Sequence, residues 1–152
     1  MKIRVGDIIN GLQVYHSRLA DYYYTLANNF HETRSADLID YLRKCEMYQE
    51  RNMMLMSRSI NRRLVNTIID IPGPVVENII MHVKREEEEN AVCSYDKLLK
   101  VALQNEVRLK NFCKGISSAF LNAELRQLFS AICREADKEI RNLCSYKCLH
   151  AS

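Results

Sequence analysis

The sequence predicts an all-α protein, an antiparallel four-helix bundle built from two helical hairpins that a long crossover joins. First, the 152 residues include only four Gly and two Pro, too few for the many tight turns of a β-sandwich or barrel. Second, 47% of the residues are apolar and 27% are charged, which excludes disorder along the whole chain. Third, apolar residues recur every three or four positions in four long segments. The length suits a single domain, residues 1–152.

The predicted helices alternate with short polar turns, except at the crossover. In chain order, the segments are a helix at 7–30, a helix at 36–63, the crossover at 65–90, a helix at 91–119 and a helix at 123–146. Asp7 and Ser35 are expected to cap the first two helices, because their side chains can accept a hydrogen bond from a free backbone N–H. Pro72 and Pro74 break any helix within the crossover.

Each helix carries one stripe of apolar residues that we expect to face the core. In the first helix the stripe is Ile8, Leu12, Tyr15, Leu19, Tyr22, Leu26 and Phe30. In the second helix it is Leu38, Leu42, Cys45, Tyr48, Leu55, Met56 and Ile60. Residues 11–27 also share an apolar pattern with residues 101–117, which favours a bundle of two similar hairpins.

Five polar side chains stand at or beside positions where these stripes require apolar residues: His16, Gln49, Asn52, Glu106 and Glu139. If the two hairpin turns lie near residues 33 and 122, all five are similarly far from a turn and share one level of the bundle. A carboxylate that is buried in an apolar core must find a partner or take up a proton. We therefore expect one central polar layer.

The paired hairpins, the run Ala102-Leu103-x-x-Glu106 followed by Phe112, and the Leu-x-x-aromatic runs of the second and fourth helices resemble the ferritin-like superfamily. The likeness is to rubrerythrin-type bundles and covers nearly the whole chain. It implies a di-iron centre held by one Glu from each of the first and third helices and a Glu-x-x-His from each of the other two.

Carried over onto this sequence, the ligand set is incomplete. The glutamate position of the first helix is His16, and that of the third helix is Glu106. The two Glu-x-x-His positions read Gln49-x-x-Asn52 and Ala136-x-x-Glu139, and the sequence contains no Glu-x-x-His. The resemblance thus implies a ferritin-like scaffold without the usual di-iron centre.

Three interpretations of the polar layer remain open, and the third of them is a small-ligand or acid–base site. In the first, the five side chains form a buried hydrogen-bond network that holds the helices in register, and no cofactor is expected. In the second, His16, Glu106 and Glu139 bind a single iron, manganese or zinc ion, because one imidazole and two carboxylates suit these metals.

Two functions follow. The first is a non-catalytic interaction or structural module, a homodimer or a binder of another protein, because Ile9, Val14, Tyr23 and Tyr24 lie off the main stripe of the first helix. The second is a metal-binding or oxidoreductase relative of rubrerythrin with a reduced ligand set. The sequence contains neither a phosphate-binding Gly-rich loop nor Gly-x-Ser-x-Gly, so an enzyme is not favoured.

Composition also bears on location and partners. No apolar stretch approaches the roughly 20 residues that span a bilayer, so we expect a cytoplasmic protein that does not bind membranes. Six Cys are then free thiols, and Cys144 with Cys148 is a weak candidate for a reactive or metal-binding pair. The net charge of +3 does not favour nucleic-acid binding. Arg58, Arg62 and Arg63 would be the residues that contact a nucleic acid.

Overall fold

A computed structural model describes residues 1–72, 94–119 and 122–149. The elements in chain order are strand β1 (Lys2–Arg4), helix α1 (Val5–Leu26), a 3₁₀ turn (Ala27–Asn29), helix α2 (Thr33–Ser59), helix α3 (Arg62–Val65), strand β2 (Ile68–Asp70), helix α4 (Tyr95–Ala119) and helix α5 (Ala123–Leu149). The predicted all-α class is confirmed, apart from a two-stranded sheet. The chain divides into two compact units, residues 1–93 and residues 94–152. The ferritin-like arrangement and the single domain stay predictions.

The first two helices begin earlier than predicted, and the predicted caps are wrong. Helix α1 begins at Val5, whose N–H donates to the carbonyl of Thr67 at 2.9 Å, so the incoming strand sets its start. Asp7 lies inside the first turn and pairs with Arg4 at 3.2 Å. Helix α2 begins at Thr33, so Ser35 is a fully buried helical residue rather than a cap.

The same two helices end four residues before the predicted positions. After Leu26 the chain tightens into the 3₁₀ turn, where the amides of Asn28 and Asn29 disfavour a continued α-helix. Helix α2 ends at Ser59 because Ile60 is extended. The side chain of Asn61 then accepts a hydrogen bond from the N–H of Arg63 at 2.8 Å and starts the short helix α3.

The predicted crossover opens with a strand that the sequence analysis did not predict. Strand β2 pairs antiparallel with β1, and Ile69 faces Ile3 across the ladder. Ile69 and Ile71 are buried, whereas Ile68 is 62% exposed, which is the alternation expected of a half-buried strand. The run of β-branched residues from 67 to 69 was the available signal. Residues 73–90 of the crossover, with Pro74, lie outside the described part of the chain.

The core stripe of α1 agrees with the prediction, but that of α2 differs from it. Tyr48 is 61% exposed and Leu55 is 50% exposed, although both were predicted to face the core. The buried residues of α2 are Ser35, Leu38, Ile39, Leu42, Glu46, Gln49 and Met53. From Leu42 onward the burial keeps the helical period, whereas the prediction followed the apolar residues out of that period.

The second unit is an α4–α5 hairpin. Asn122 caps α5 by accepting hydrogen bonds from the N–H groups of Glu124 at 2.8 Å and Leu125 at 3.2 Å. The two helices pack through buried residues Leu98, Ala102, Leu109, Ile116, Leu125, Phe129, Ile132 and Leu143. Lys110 and Asp137 join the helices at 2.6 Å, and this hydrogen bond raises the pKa of Lys110. Helix α4 begins at Tyr95, and residues 91–93 of its predicted start lie outside the described part. Helix α5 continues three residues past its predicted end.

Gly6 lies so close to α3 that a side chain at this position would displace Val65. A Cβ at this position would stand 2.7 Å from Cγ1 of Val65 and 3.3 Å from its carbonyl oxygen, whereas a Cβ at Gly11 meets nothing within 4 Å. We expect Gly6→Ala to destabilise the protein by about 1–3 kcal/mol, because Val65 and its backbone must shift. Gly11→Ala, the matched control, should stabilise it by about 0.5–1 kcal/mol through helix propensity. Urea denaturation followed by circular dichroism measures both, and equal effects would contradict the packing.

Candidate functional site

A buried histidine–glutamate pair is the most distinctive polar feature of the first unit. Nδ1 of His16, on α1, lies 2.6 Å from Oε2 of Glu46, on α2. Their side chains are 1% and 4% exposed, so both are almost fully removed from water. The ring of Tyr15 stands edge-on to the imidazole with the ring centres 5.4 Å apart. The pair therefore joins the two helices inside their apolar interface.

The hydrogen bond determines what the imidazole can do. When Glu46 is ionised it can only accept, so Nδ1–H of His16 donates. Nε2 then carries the lone pair if the imidazole is neutral and an N–H if it is protonated. Nε2 is buried and has no hydrogen-bond partner among the described residues. A carboxylate that fixes one ring nitrogen and leaves the other open is a common arrangement for a metal ligand and for a general base. The same bond also serves as a purely structural link between helices.

The predicted polar layer divides between the two units. In the first unit His16 and Gln49 are buried, whereas Asn52 is only half-buried. In the second unit Glu106, on α4, is buried and Glu139, on α5, is half-buried. The five residues belong to two separate compact units, so a single layer of all five stays a prediction.

Glu46 was missed in the sequence analysis. The turn was taken near residue 33, but α1 ends at Leu26 and α2 begins at Thr33, so the turn is centred a few residues earlier. With the turn placed earlier, the residue of α2 that lies level with His16 is Glu46 rather than Gln49, about one helical turn away. A signal was present, since Glu46 follows Leu38 and Leu42 at steps of four on the buried face.

The described residues of each unit contain no complete candidate metal centre. In residues 1–72, 94–119 and 122–149, no group of three or more His, Cys, Asp or Glu side chains could hold a metal ion. The predicted ligands His16, Glu106 and Glu139 are distributed over both units, so that ligand set stays a prediction. Within the first unit, the addition of Glu46 gives His16 one carboxylate partner.

The described cysteines differ widely in exposure. Cys45, Cys113, Cys133 and Cys144 are free thiols, and of these Cys113 is buried and Cys144 is exposed. Burial raises the pKa of the Cys113 thiol, which therefore stays protonated and unreactive at neutral pH. The side chain of Cys148 lies outside the described part, so its predicted pairing with Cys144 stays a prediction.

Each unit also carries a surface cleft. In the first unit, a cleft of about 390 Å³ is lined by residues that include Tyr24, Arg43 and Met47, and the Arg43 guanidinium lies 4.9 Å from the centre of the Tyr24 ring. In the second unit, a cleft of about 600 Å³ is lined by residues that include Leu103 and Lys147. Neither cleft is lined by the buried pair, so neither gives that pair a described entrance for a substrate.

Comparison with known proteins supplies no family. No family model, no curated protein and no solved structure matches this chain. None of the helices in the described part is both long enough and apolar enough to pass through a bilayer.

Proposed function

We propose that the chain is a non-catalytic helical module that acts by binding another protein. The observation that carries the proposal is the exposure of two large apolar side chains on one face of α2. Its buried face contains Glu46 and Gln49, while Tyr48 and Leu55 are at least half exposed on the opposite side. A ferritin-like arrangement of the two hairpins and a cytoplasmic location are parts of the same proposal, and the free thiols are consistent with a reducing compartment.

The exposure of Leu55 and the burial of Glu46 both lower the stability of an isolated hairpin. Complete burial of a side chain as large as Leu55 stabilises a protein by about 1.5–3 kcal/mol, and its exposure forgoes much of that. Burial of Glu46 removes a carboxyl group from water and requires the compensating bond to His16. Exposed apolar patches are typical of a surface that another protein covers, and Tyr48 and Leu55 are the apolar part of the surface proposed on α2.

The structure changes which residues support association. Ile9 and Tyr23 were expected to lie at a dimer interface, but they are 0% and 1% exposed within the chain itself. Val14 and Tyr24 remain available, at 46% and 60% exposed. We place the proposed contact on α2, where Tyr48 and Leu55 are exposed. An experiment described below decides whether a second copy or another protein makes the contact.

One specific observation favours the alternative of a metal-binding protein related to rubrerythrin. Nε2 of His16 is buried without a described hydrogen-bond partner, and Glu46 fixes the ring from the other side. A metal ion would satisfy this nitrogen. The ligand set predicted from the sequence adds Glu106 and Glu139 to His16. A di-iron centre does not fit that set, because the five predicted layer residues include one imidazole and two carboxylates.

The role of the buried pair is tested with a double-mutant cycle. Either His16→Leu or Glu46→Leu alone should reduce the free energy of unfolding by about 3–5 kcal/mol, because the other group stays buried without its partner. The double variant should lie within about 1 kcal/mol of the unchanged protein, since two apolar groups replace the pair. Asp40→Ala, which breaks the exposed pair between Asp40 and Lys44, is the control and should have little effect. Additive single effects would show that the pair is not coupled.

Metal analysis separates the two functions. Protein purified without chelator, then incubated with iron, manganese or zinc and desalted, should retain no stoichiometric metal if the pair is structural. The alternative predicts one ion per chain, which His16→Leu abolishes and which Lys44→Ala, an exposed change on α2, retains. Retention of one ion that depends on His16 would overturn the non-catalytic proposal in favour of the alternative.

Photocrosslinking in cells tests the interaction itself. The photoreactive residue benzoylphenylalanine at position 48 should give a discrete adduct, because Tyr48 lies on the proposed contact surface. The same residue at position 134, an exposed arginine of α5, is the control and should give none. An adduct of twice the chain mass identifies a homodimer and any other discrete mass identifies another protein. Equal results at both positions would contradict the proposal.

A further inference from the structure

The exposed face of α2 has a regular composition. Residues 44, 48, 51, 55 and 58 advance by alternate steps of four and three, so they share one face, and all five are exposed. We call Lys44, Tyr48, Arg51, Leu55 and Arg58 the outer stripe. It lies opposite the buried residues of the same helix. Cationic and apolar side chains alternate along it, and Tyr48 and Leu55 are about 10 Å apart along the helix axis.

From this stripe we infer that α2 docks an acidic helical segment of another protein. The inference rests on the proposed function and names the chemistry of the partner. Two large apolar side chains that are seven residues apart match the spacing at which a second helix places its own apolar residues. The cations on either side of each apolar residue select acidic flanks on that second helix.

Within residues 1–72, 94–119 and 122–149, the two arginines of the outer stripe meet no opposite charge. Arg51 and Arg58 form no ion pair with another described residue. Lys44 is held by Asp40 at 2.7 Å, so the positive charge is concentrated toward the C-terminal part of the helix. An acidic partner would supply carboxylates to both arginines, while Leu55 between them is covered by an apolar side chain of the partner.

A second copy of the chain is a poor occupant of this face. In an antiparallel pair centred on Arg51, that arginine would meet its own copy and Lys44 would meet Arg58. In a parallel pair each cation would meet itself. Like charges placed together at an interface oppose association. In both of these arrangements a homodimer on this face would bring like charges of the outer stripe together.

Nucleic acid is also a poorer occupant than an acidic helix. Leu55, at the centre of the cationic end, offers neither a hydrogen bond to phosphate nor a ring for a base to stack on. Arg62 and Arg63 are exposed, but they lie on the separate helix α3. Tyr48 could stack on a base, but the two arginines of the cationic end are separated by an aliphatic side chain, which fits an amphipathic acidic helix better than a phosphate backbone.

The test measures binding of a defined peptide to the full chain by fluorescence anisotropy. The probe is a helical peptide of about three heptads with Leu at the a and d positions and Glu at e and g, whose like charges prevent self-pairing. A peptide with Lys in place of Glu is the matched control. A single-stranded RNA oligonucleotide tests the nucleic-acid alternative. We expect the Glu peptide to bind, and to bind more weakly at high salt, and we expect the Lys peptide not to bind.

Charge reversal then tests whether the outer stripe is the binding surface. Arg51→Glu with Arg58→Glu should weaken binding of the Glu peptide by about tenfold or more and should create binding of the Lys peptide. Leu55→Ser should weaken the Glu peptide without creating the reversed preference. Arg134→Glu with Lys138→Glu makes the same charge change at two exposed positions of α5 and should leave binding unchanged. Misfolding would expose apolar surface to both peptides alike, so loss of the Glu peptide together with gain of the Lys peptide is specific to the charge reversal.

Four results would overturn the inference: equal binding of both peptides, equal loss in the α5 control variant, tighter binding of the RNA that is lost in the α2 variant, or a dimer that Leu55→Ser dissociates. The proposed function fails separately, because it requires a crosslink from position 48. If that crosslink forms while the peptide results are negative, the chain is an interaction module whose partner is not acidic. If neither is observed, both proposals are wrong.

Discussion

The first unit depends on the hydrogen bond between His16 and Glu46. Neither group can stand alone at 1% and 4% exposure, so α1 and α2 must meet at the register that joins Nδ1 to Oε2. Apolar contacts are tolerant of small slips along a helix, whereas one directional bond between buried groups is not. The pair thus turns an association that apolar residues would permit in several registers into one with a defined register, and the same register turns Tyr48 and Leu55 toward water.

The predictability of this chain follows from which physical signals are local. The long helices were predictable because period and composition are properties of short windows, as the stripe of α1 from Ile8 to Leu26 shows. The breaks at Asn29 and Ile60 were not, because they depend on turn and capping geometry that several nearby residues could provide. Strand β2 was missed for a different reason, since Ile68–Asp70 becomes a strand only by pairing with a segment far away in the sequence.

The candidate site was predictable only in part. His16 was identified because a histidine at a core position stands out in an apolar stripe, and its burial at 1% exposure agrees with that prediction. Its partner Glu46 was not identified, because a displacement of a few residues in the turn changes the facing residue by a full helical turn. Tyr48 and Leu55 were assigned to the core because they are apolar and helically spaced, and such a pattern cannot by itself separate a buried stripe from an exposed one.

The β1–β2 ladder has a consequence for how the first unit assembles. Helical hairpins form through contacts between near neighbours in sequence, but the pairing of Ile3 with Ile69 closes a loop that encloses both long helices. Closing such a loop costs chain entropy, and this cost is smaller when the helical hairpin has already brought the two strands close together. We therefore expect the β1–β2 ribbon to pair after the helical hairpin has formed. Because each strand has only three residues, we expect the ribbon to open before the two helices in hydrogen exchange.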